Sequence, residues 1–119
     1  METDLNKVLF QALKDEDKRA IMEALQKGAD INAKDNDNDG MTALMYASED
    51  GNLGIVDLLI ANGADVNAKD NNGWTALMFA SFDDNLEVAT LLIKEGADVN
   101  AKDNDGVSAL MLASIEGNL

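Results

Sequence analysis

The sequence predicts an all-α fold: a solenoid of stacked helix–turn–helix units joined by hairpin-like finger loops, with the last repeat incomplete. Three observations carry this. The heptapeptides GMTALMY, GWTALMF and GVSALML begin at Gly40, Gly73 and Gly106, 33 residues apart each time. The octapeptide GADINAKD at Gly28 returns as GADVNAKD at Gly63 and Gly96. Compared position by position, 40–72 and 73–105 agree at 22 of 33 places. A fixed period of about 33 residues marks stacked helix pairs, each of which buries its apolar face only against its neighbours. The chain, 1–119, divides into a capping repeat 3–39, repeats 40–72 and 73–105, and a partial repeat 106–119.

The elements follow in order. Residues 3–28 form the first helix pair, with Ala12, Ile21 and Leu25 at core positions and Lys7, Lys14, Lys18 and Arg19 giving the polar outer face that an end cap requires. The first finger then carries five residues between Lys34 and Gly40, against three in the other two fingers. In the second repeat Thr42 is a suitable N-cap, since its hydroxyl can satisfy a free amide of the first turn. Ala43 to Asp50 makes a short helix with Leu44, Ala47 and Ser48 inward, and Gly51 takes the left-handed turn after it. Asn52 caps a second helix whose stripe is Leu53, Val56, Leu59 and Ile60, and Gly63 ends it. Asp70-Asn71-Asn72-Gly73 has Asp first and Gly fourth, the signature of a type I turn, so 65–72 reads as a finger. The third repeat copies this pattern with Asp84 in place of the turn glycine, and the fourth stops at Leu119, within the first turn of its second helix.

These residues resemble the ankyrin repeat. The matching pieces are the D-x-x-G-x-T opening, the A-L-x-x-A first helix, the N-L-x-x-x-x-L-L second helix and G-A-D-V-N-A. The resemblance covers nearly the whole chain. It implies an L-shaped helix–turn–helix–finger unit and an ankyrin-repeat solenoid whose concave binding face is made by fingers and first helices. The family's T-P-L-H opening is here Thr42-Ala43-Leu44-Met45, then Thr75-Ala76-Leu77-Met78, then Ser108-Ala109-Leu110-Met111. Alanine is a good helix former and methionine fills space, so the fold should persist with a less rigid helix start.

The formal net charge is −14, and it is placed unevenly: six basic and seven acidic side chains in 1–34, three basic and sixteen acidic in 35–119. Such a field repels nucleic acid and anionic membranes and attracts basic partners. Cysteine and histidine are absent, which removes thiolate chemistry, the commonest general base and the commonest metal ligand. The N-terminus lacks a signal-peptide pattern and no stretch approaches a membrane span of about 20 apolar residues. The expected compartment is the cytoplasm. No phosphate-binding glycine motif occurs, and no cofactor or catalytic centre is expected. Asp35-Asn36-Asp37-Asn38-Asp39-Gly40 matches the first six positions of an EF-hand loop, but Tyr46 stands where a bidentate glutamate belongs. The two-residue insertion into an acidic finger accounts for the match, and a calcium-binding module at 35–40 is a minor alternative.

The variable columns mark the expected partner-binding surface. After each finger glycine stand Met41, Trp74 and Val107. Near the ends of the first helices stand Glu49, Phe82 and Ile115, then Asp50, Asp83 and Glu116. In ankyrin repeats these columns face the partner. The expected function is non-catalytic protein–protein recognition on a concave face, acidic at its rim (Asp35, Asp37, Asp39, Asp70, Asp103, Asp105), with Trp74, Met41 and Phe82 as apolar anchors for a basic protein or peptide. Tyr46, Phe79 and Leu112 are expected to be semi-core. The structural alternative is a spacer or self-associating segment of a longer repeat protein. An uncapped C-terminal face with Leu110, Ala113, Leu119 and parts of Leu86 and Leu92 exposed would suit an end-to-end homodimer.

Overall fold

The computed structural model describes the backbone of residues 4–115 and the side chains of 4–113. The described residues contain seven helices: α1 (Leu5–Lys14), α2 (Lys18–Gln26), α3 (Ala43–Asp50), α4 (Leu53–Ala61), α5 (Ala76–Phe82), α6 (Leu86–Lys94) and α7 (Ala109–Ile115). α1–α2, α3–α4 and α5–α6 are antiparallel pairs. The pairs stack side by side into an elongated body of 47 × 26 × 22 Å. Among the described residues the only β-type pairings are isolated bridges at finger bases, Asp35 with Met41 and Lys102 with Ser108.

Local chemistry explains where each helix begins. The Asp4, Asp17, Thr42, Asn52 and Thr75 side chains each accept a backbone N–H of the following first turn. Met45 does more than fill space. Its Sδ accepts the N–H of Thr42 at 3.4 Å while Thr42 Oγ1 accepts the N–H of Met45 at 3.4 Å. This is a capping box with sulfur in the usual carboxylate's place. Asn85 departs from the pattern. Its side chain makes no cap to α6 and instead donates Nδ2–H to the carbonyls of Ser48 (2.9 Å) and Glu49 (3.2 Å) in the preceding pair.

The turn inside each pair needs one left-handed residue. Glu16 (φ 53°), Gly51 (φ 71°) and Asp84 (φ 61°) hold it. Glycine adopts this conformation at no steric cost, whereas Glu16 and Asp84 meet the Cβ clash that disfavours it. Gly51 has a second reason. A Cβ there would lie 2.6 Å from Asn85 Oδ1, so glycine also admits the cross-pair amide.

The core runs the length of the stack. Leu9, Leu13 and Ile21 fill the first pair; Leu44, Ile55, Val56 and Leu59 the second; Leu77, Val88 and Leu92 the third. The α4 stripe therefore centres on Ile55, Val56 and Leu59, while Leu53 faces outward. Leu92 is fully buried and forms no part of an exposed end face. Leu119 lies outside the described residues. Leu44 and Leu77 are buried, but Leu110, their equivalent one period on, is 62% exposed. The same residue type changes environment: α3 and α5 each pack between helices on both sides, whereas the main partner of α7 among the described helices is α5.

The fingers form a second, polar ladder. Asn71 N–H donates to Asp39 O (2.8 Å), and Asn104 N–H to Asn72 O (3.0 Å). Beneath them, Asn6, Asn32 and Asn67 each accept, on Oδ1, the backbone N–H of Asp30, Asp65 and Asp98 respectively, at 2.7–2.8 Å. Asn6 thus satisfies an amide within the capping repeat, Asn32 and Asn67 each satisfy one in the repeat that follows, and neighbouring repeats are joined along both core and fingers.

Candidate functional site

Residues of the fingers, together with Glu49 and Phe79 of the first helices α3 and α5, enclose an open groove of about 540 Å³. Met41, Trp74 and Phe79 give it apolar surface. Glu49, Asp39, Asp70, Asp103 and Asp105 line it as well, with Asn38, Asn72 and Asn104 between them.

Trp74 sits where the second finger returns to the helix. Its backbone N–H donates to Asp70 Oδ1 (2.8 Å) and its indole Nε1–H to Asp103 Oδ2 on the third finger (2.9 Å). The ring packs at 4.9 Å on Phe79 and edge-on at 5.8 Å against Phe82. These are favourable aromatic geometries, so the indole is held in one place before any partner arrives. Trp74 is half-buried, and Phe82, at 40% exposure, is the more open ring.

The carboxylates fall into two groups. Those at finger bases serve the loops. Asp70 Oδ1 accepts the N–H groups of Asn72 and Trp74. Asp103 Oδ1 accepts those of Asp105 and Val107, and the resulting bonds, Val107 foremost, hold the Asp103 carboxyl below the usual range. Asp35 Oδ1 accepts Asp37 N–H and its Oδ2 accepts the Tyr46 hydroxyl at 2.6 Å. Burial and then this carboxylate push the Tyr46 phenol up to about 12. The first and last positions of the calcium-loop match are therefore bonded to each other. Among the described residues no three carboxylate, histidine or cysteine side chains converge as a metal site.

The second group lies at the helix ends. Burial raises the carboxyl of Glu49, with the charges of Asp83 and Asp50 adding to it. Burial and then Glu16 and Asp83 raise Asp50; burial raises Asp83. Among the described residues the one ion pair is Arg19–Glu23, on α2, so no cation lies within pairing distance of these three acids.

Measured against the sequence reading, Glu49, Asp70, Trp74, Asp103 and Asp105 meet in one groove. Met41 is corrected: at 5% exposure it is a floor, not a protruding anchor. Asp35 and Asp70, each 7% exposed, are corrected from rim acids to internal finger acceptors. Asp50, Phe82, Asp83 and Val107 stand beside the groove; the Ile115 side chain lies outside the described residues. Phe79, read as semi-core, lines the groove, while Tyr46 and Leu112 are buried. The finger asparagines were missed, although 38, 72 and 104 occupy the tips of the turns that the motif itself defines.

A stack of helix pairs joined by bonded fingers, with an open groove between them, is a repeat solenoid. Comparison with known proteins gives the class its name. A family model described as ankyrin repeats in three copies matches residues 9–103 and again 70–119. The chain belongs to the ankyrin repeat family. It is also similar, at 41% identity over 64 residues, to the ankyrin repeat and KH domain-containing protein mask-1 of Caenorhabditis elegans. That match covers 54% of this chain and 2% of the relative. Ankyrin repeats generally mediate protein–protein interaction and are generally non-catalytic scaffolds. No helix among the described residues is long and apolar enough to cross a membrane.

Proposed function

We propose that the concave groove recognises a basic segment of a partner protein, with the cytoplasm as the compartment of that encounter. The observation that carries this reading is the set Glu49, Asp50 and Asp83: partly desolvated carboxylates, close enough to disfavour one another's charge, with no cation beside them among the described residues. A cationic side chain placed there relieves the mutual repulsion, which adds to affinity beyond simple steering. Phe82 and the preorganised Trp74 supply apolar contact next to the charges. The test is a pull-down with this chain, read by mass spectrometry and repeated with Glu49→Gln/Asp83→Asn. Partners enriched in basic segments and lost from the double variant support the reading; partners retained by the variant count against it.

A second reading has its own observation. Leu86 (64% exposed), Leu110 (62%) and Met111 (47%) present apolar surface on α6 and α7. This favours copy-to-copy contact through these helices, as a spacer or self-associating array would use. Sedimentation of the chain beside Leu110→Gln/Met111→Gln decides it: a concentration-dependent dimer lost in the variant supports self-association, and a monomer at high concentration rules it out.

A further inference from the structure

We infer that the groove is built for arginine in particular: a guanidinium from the partner stacks on the Trp74–Phe79 aromatic wall and is bonded by the Glu49 carboxylate. The inference rests on the reading of the groove as a site for basic segments and names the side chain that it selects.

Three features converge on this side chain. The first is the wall. Trp74 and Phe79 pack together at 55° to one another and both line the groove, and Trp74 is fixed by its indole bond to Asp103, so an aromatic surface borders the cavity without a search among rotamers. A planar, weakly hydrated guanidinium stacks on such a surface; a compact, strongly hydrated ammonium gains less from it. The second is the set of available acceptors. Asp70 and Asp103 are bonded within the fingers, whereas Asp39, Asp105 and Glu49 line the groove with no cation beside them among the described residues; of these three only Glu49 stands on a helix, α3, rather than on a finger. Arginine's forked donors match a carboxylate two bonds at a time. The third is the rim. Asn72 and Asn104 offer amide oxygens along the groove, and a guanidinium with five N–H groups can use acceptors beyond the carboxylate. Size also fits: about 540 Å³ exceeds what one side chain fills, so the flanking peptide backbone has room in an open trough.

The chain supplies its own reporter, because Trp74 is its only tryptophan. Penta-arginine and penta-lysine peptides, equal in charge, are titrated against the intact chain in 0.1 M salt, with Trp74 fluorescence as the signal. At this salt exposed charges separated by more than about 10 Å are largely screened. The expected result is binding by penta-arginine about two- to fivefold tighter than by penta-lysine, the ratio expected of a modest advantage from stacking combined with forked bonding to the carboxylate. Glu49→Gln should abolish most of that ratio, while Asp30→Asn, a change outside the groove, should leave it intact. Circular dichroism confirms that both variants keep the helical stack. Equal affinities for the two peptides overturn the arginine inference and leave the basic-segment reading standing. A preference that survives Glu49→Gln overturns the placement. Failure of both peptides to bind overturns this inference together with the reading beneath it.

Discussion

Trp74 illustrates how one side chain joins three parts of the molecule. Its backbone amide closes the second finger on Asp70, its indole reaches Asp103 on the third, and its ring rests on the α5 aromatics Phe79 and Phe82. Trp74→Phe keeps a ring and removes the donor. The expected outcome is a folded protein in which the third finger exchanges its amides faster, while the Val107 and Asp105 amides still hold the Asp103 carboxyl low. Unchanged exchange in the third finger refutes the tie. Asp84 supports a second prediction at this scale. It occupies the left-handed position held by Gly51 one repeat earlier, at φ 61°. The clash of Cβ in this region costs roughly 1–2 kcal/mol, while glycine carries an entropic penalty of its own. Asp84→Gly is therefore expected to stabilise the chain by about 1 kcal/mol in urea unfolding; a destabilised variant disproves the strain.

At the scale of elements, the fingers act as one ladder. Gly73 is the least yielding point, since a Cβ there would meet Asn104 backbone N at 2.9 Å and Asp103 Cα at 3.1 Å, and its φ is +80°. Backbone cannot step aside as a flexible side chain can. Gly73→Ala is expected to cost about 1–3 kcal/mol and to separate the second and third fingers; denaturant unfolding checks the first and hydrogen exchange at Asn104 the second. Gly63, with φ +95° but nothing within 4 Å of an added Cβ, is the control for conformational cost alone.

The helices, their caps at Thr42 and Asn52 and the left-handed Gly51 were legible because each depends on residues a few positions apart. Destinations set by the neighbouring repeat were not. Leu53 and Ile55 both suit an apolar stripe, and only the packing against other helices chooses Ile55. Asn85 and Asn52 align and both precede a helix, yet one crosses to the preceding pair and the other caps. Met41 and Trp74 share a column and the same backbone bond to the first aspartate of their finger, yet Met41 is buried and Trp74 only half-buried. The loop role of Asp35 and Asp70 did have a signal: an aspartate opening a turn commonly accepts the amide two residues on.

For the whole molecule, charge decides the response to pH. Glu49, Asp50 and Asp83 have folded-state values above those of the unfolded chain. Their contribution is fully present below the ordinary values of 4.5 and 3.8 and is lost as pH rises through the higher folded values. Asp103, shifted downward, acts in the opposite sense, and its contribution disappears as pH falls through its folded value. With three acids against one, and with a net charge of −14 repelling itself, stability is expected to rise as pH is lowered from neutrality towards the carboxylate range. Asp83→Asn should be more stable than the parent at pH 7 and should flatten that rise. Thermal melts across the range test both; a parent whose stability falls steadily from pH 7 downwards refutes the account. Tyr46, raised to about 12, sets the alkaline side: stability linked to its neutral form is present below 10 and is lost as pH rises through about 12.

The asparagine ladder has a further consequence, for the order in which the chain assembles. Asn6, Asn32 and Asn67 join amides 24, 33 and 31 residues further on, and no such rung spans more than one repeat. Structure formed in any one helix pair thereby presents an acceptor to the pair that follows and a core face to both sides. Assembly of this kind starts at the most stable local unit and spreads outward, without waiting for distant parts of the chain to meet. The first two pairs hold most of the fully buried large side chains, including Leu9, Ile21, Leu44, Ile55 and Leu59, so they are the natural starting point. The third pair and α7 then dock as later additions, and the groove around Trp74 closes only when the third finger reaches its place beside the second.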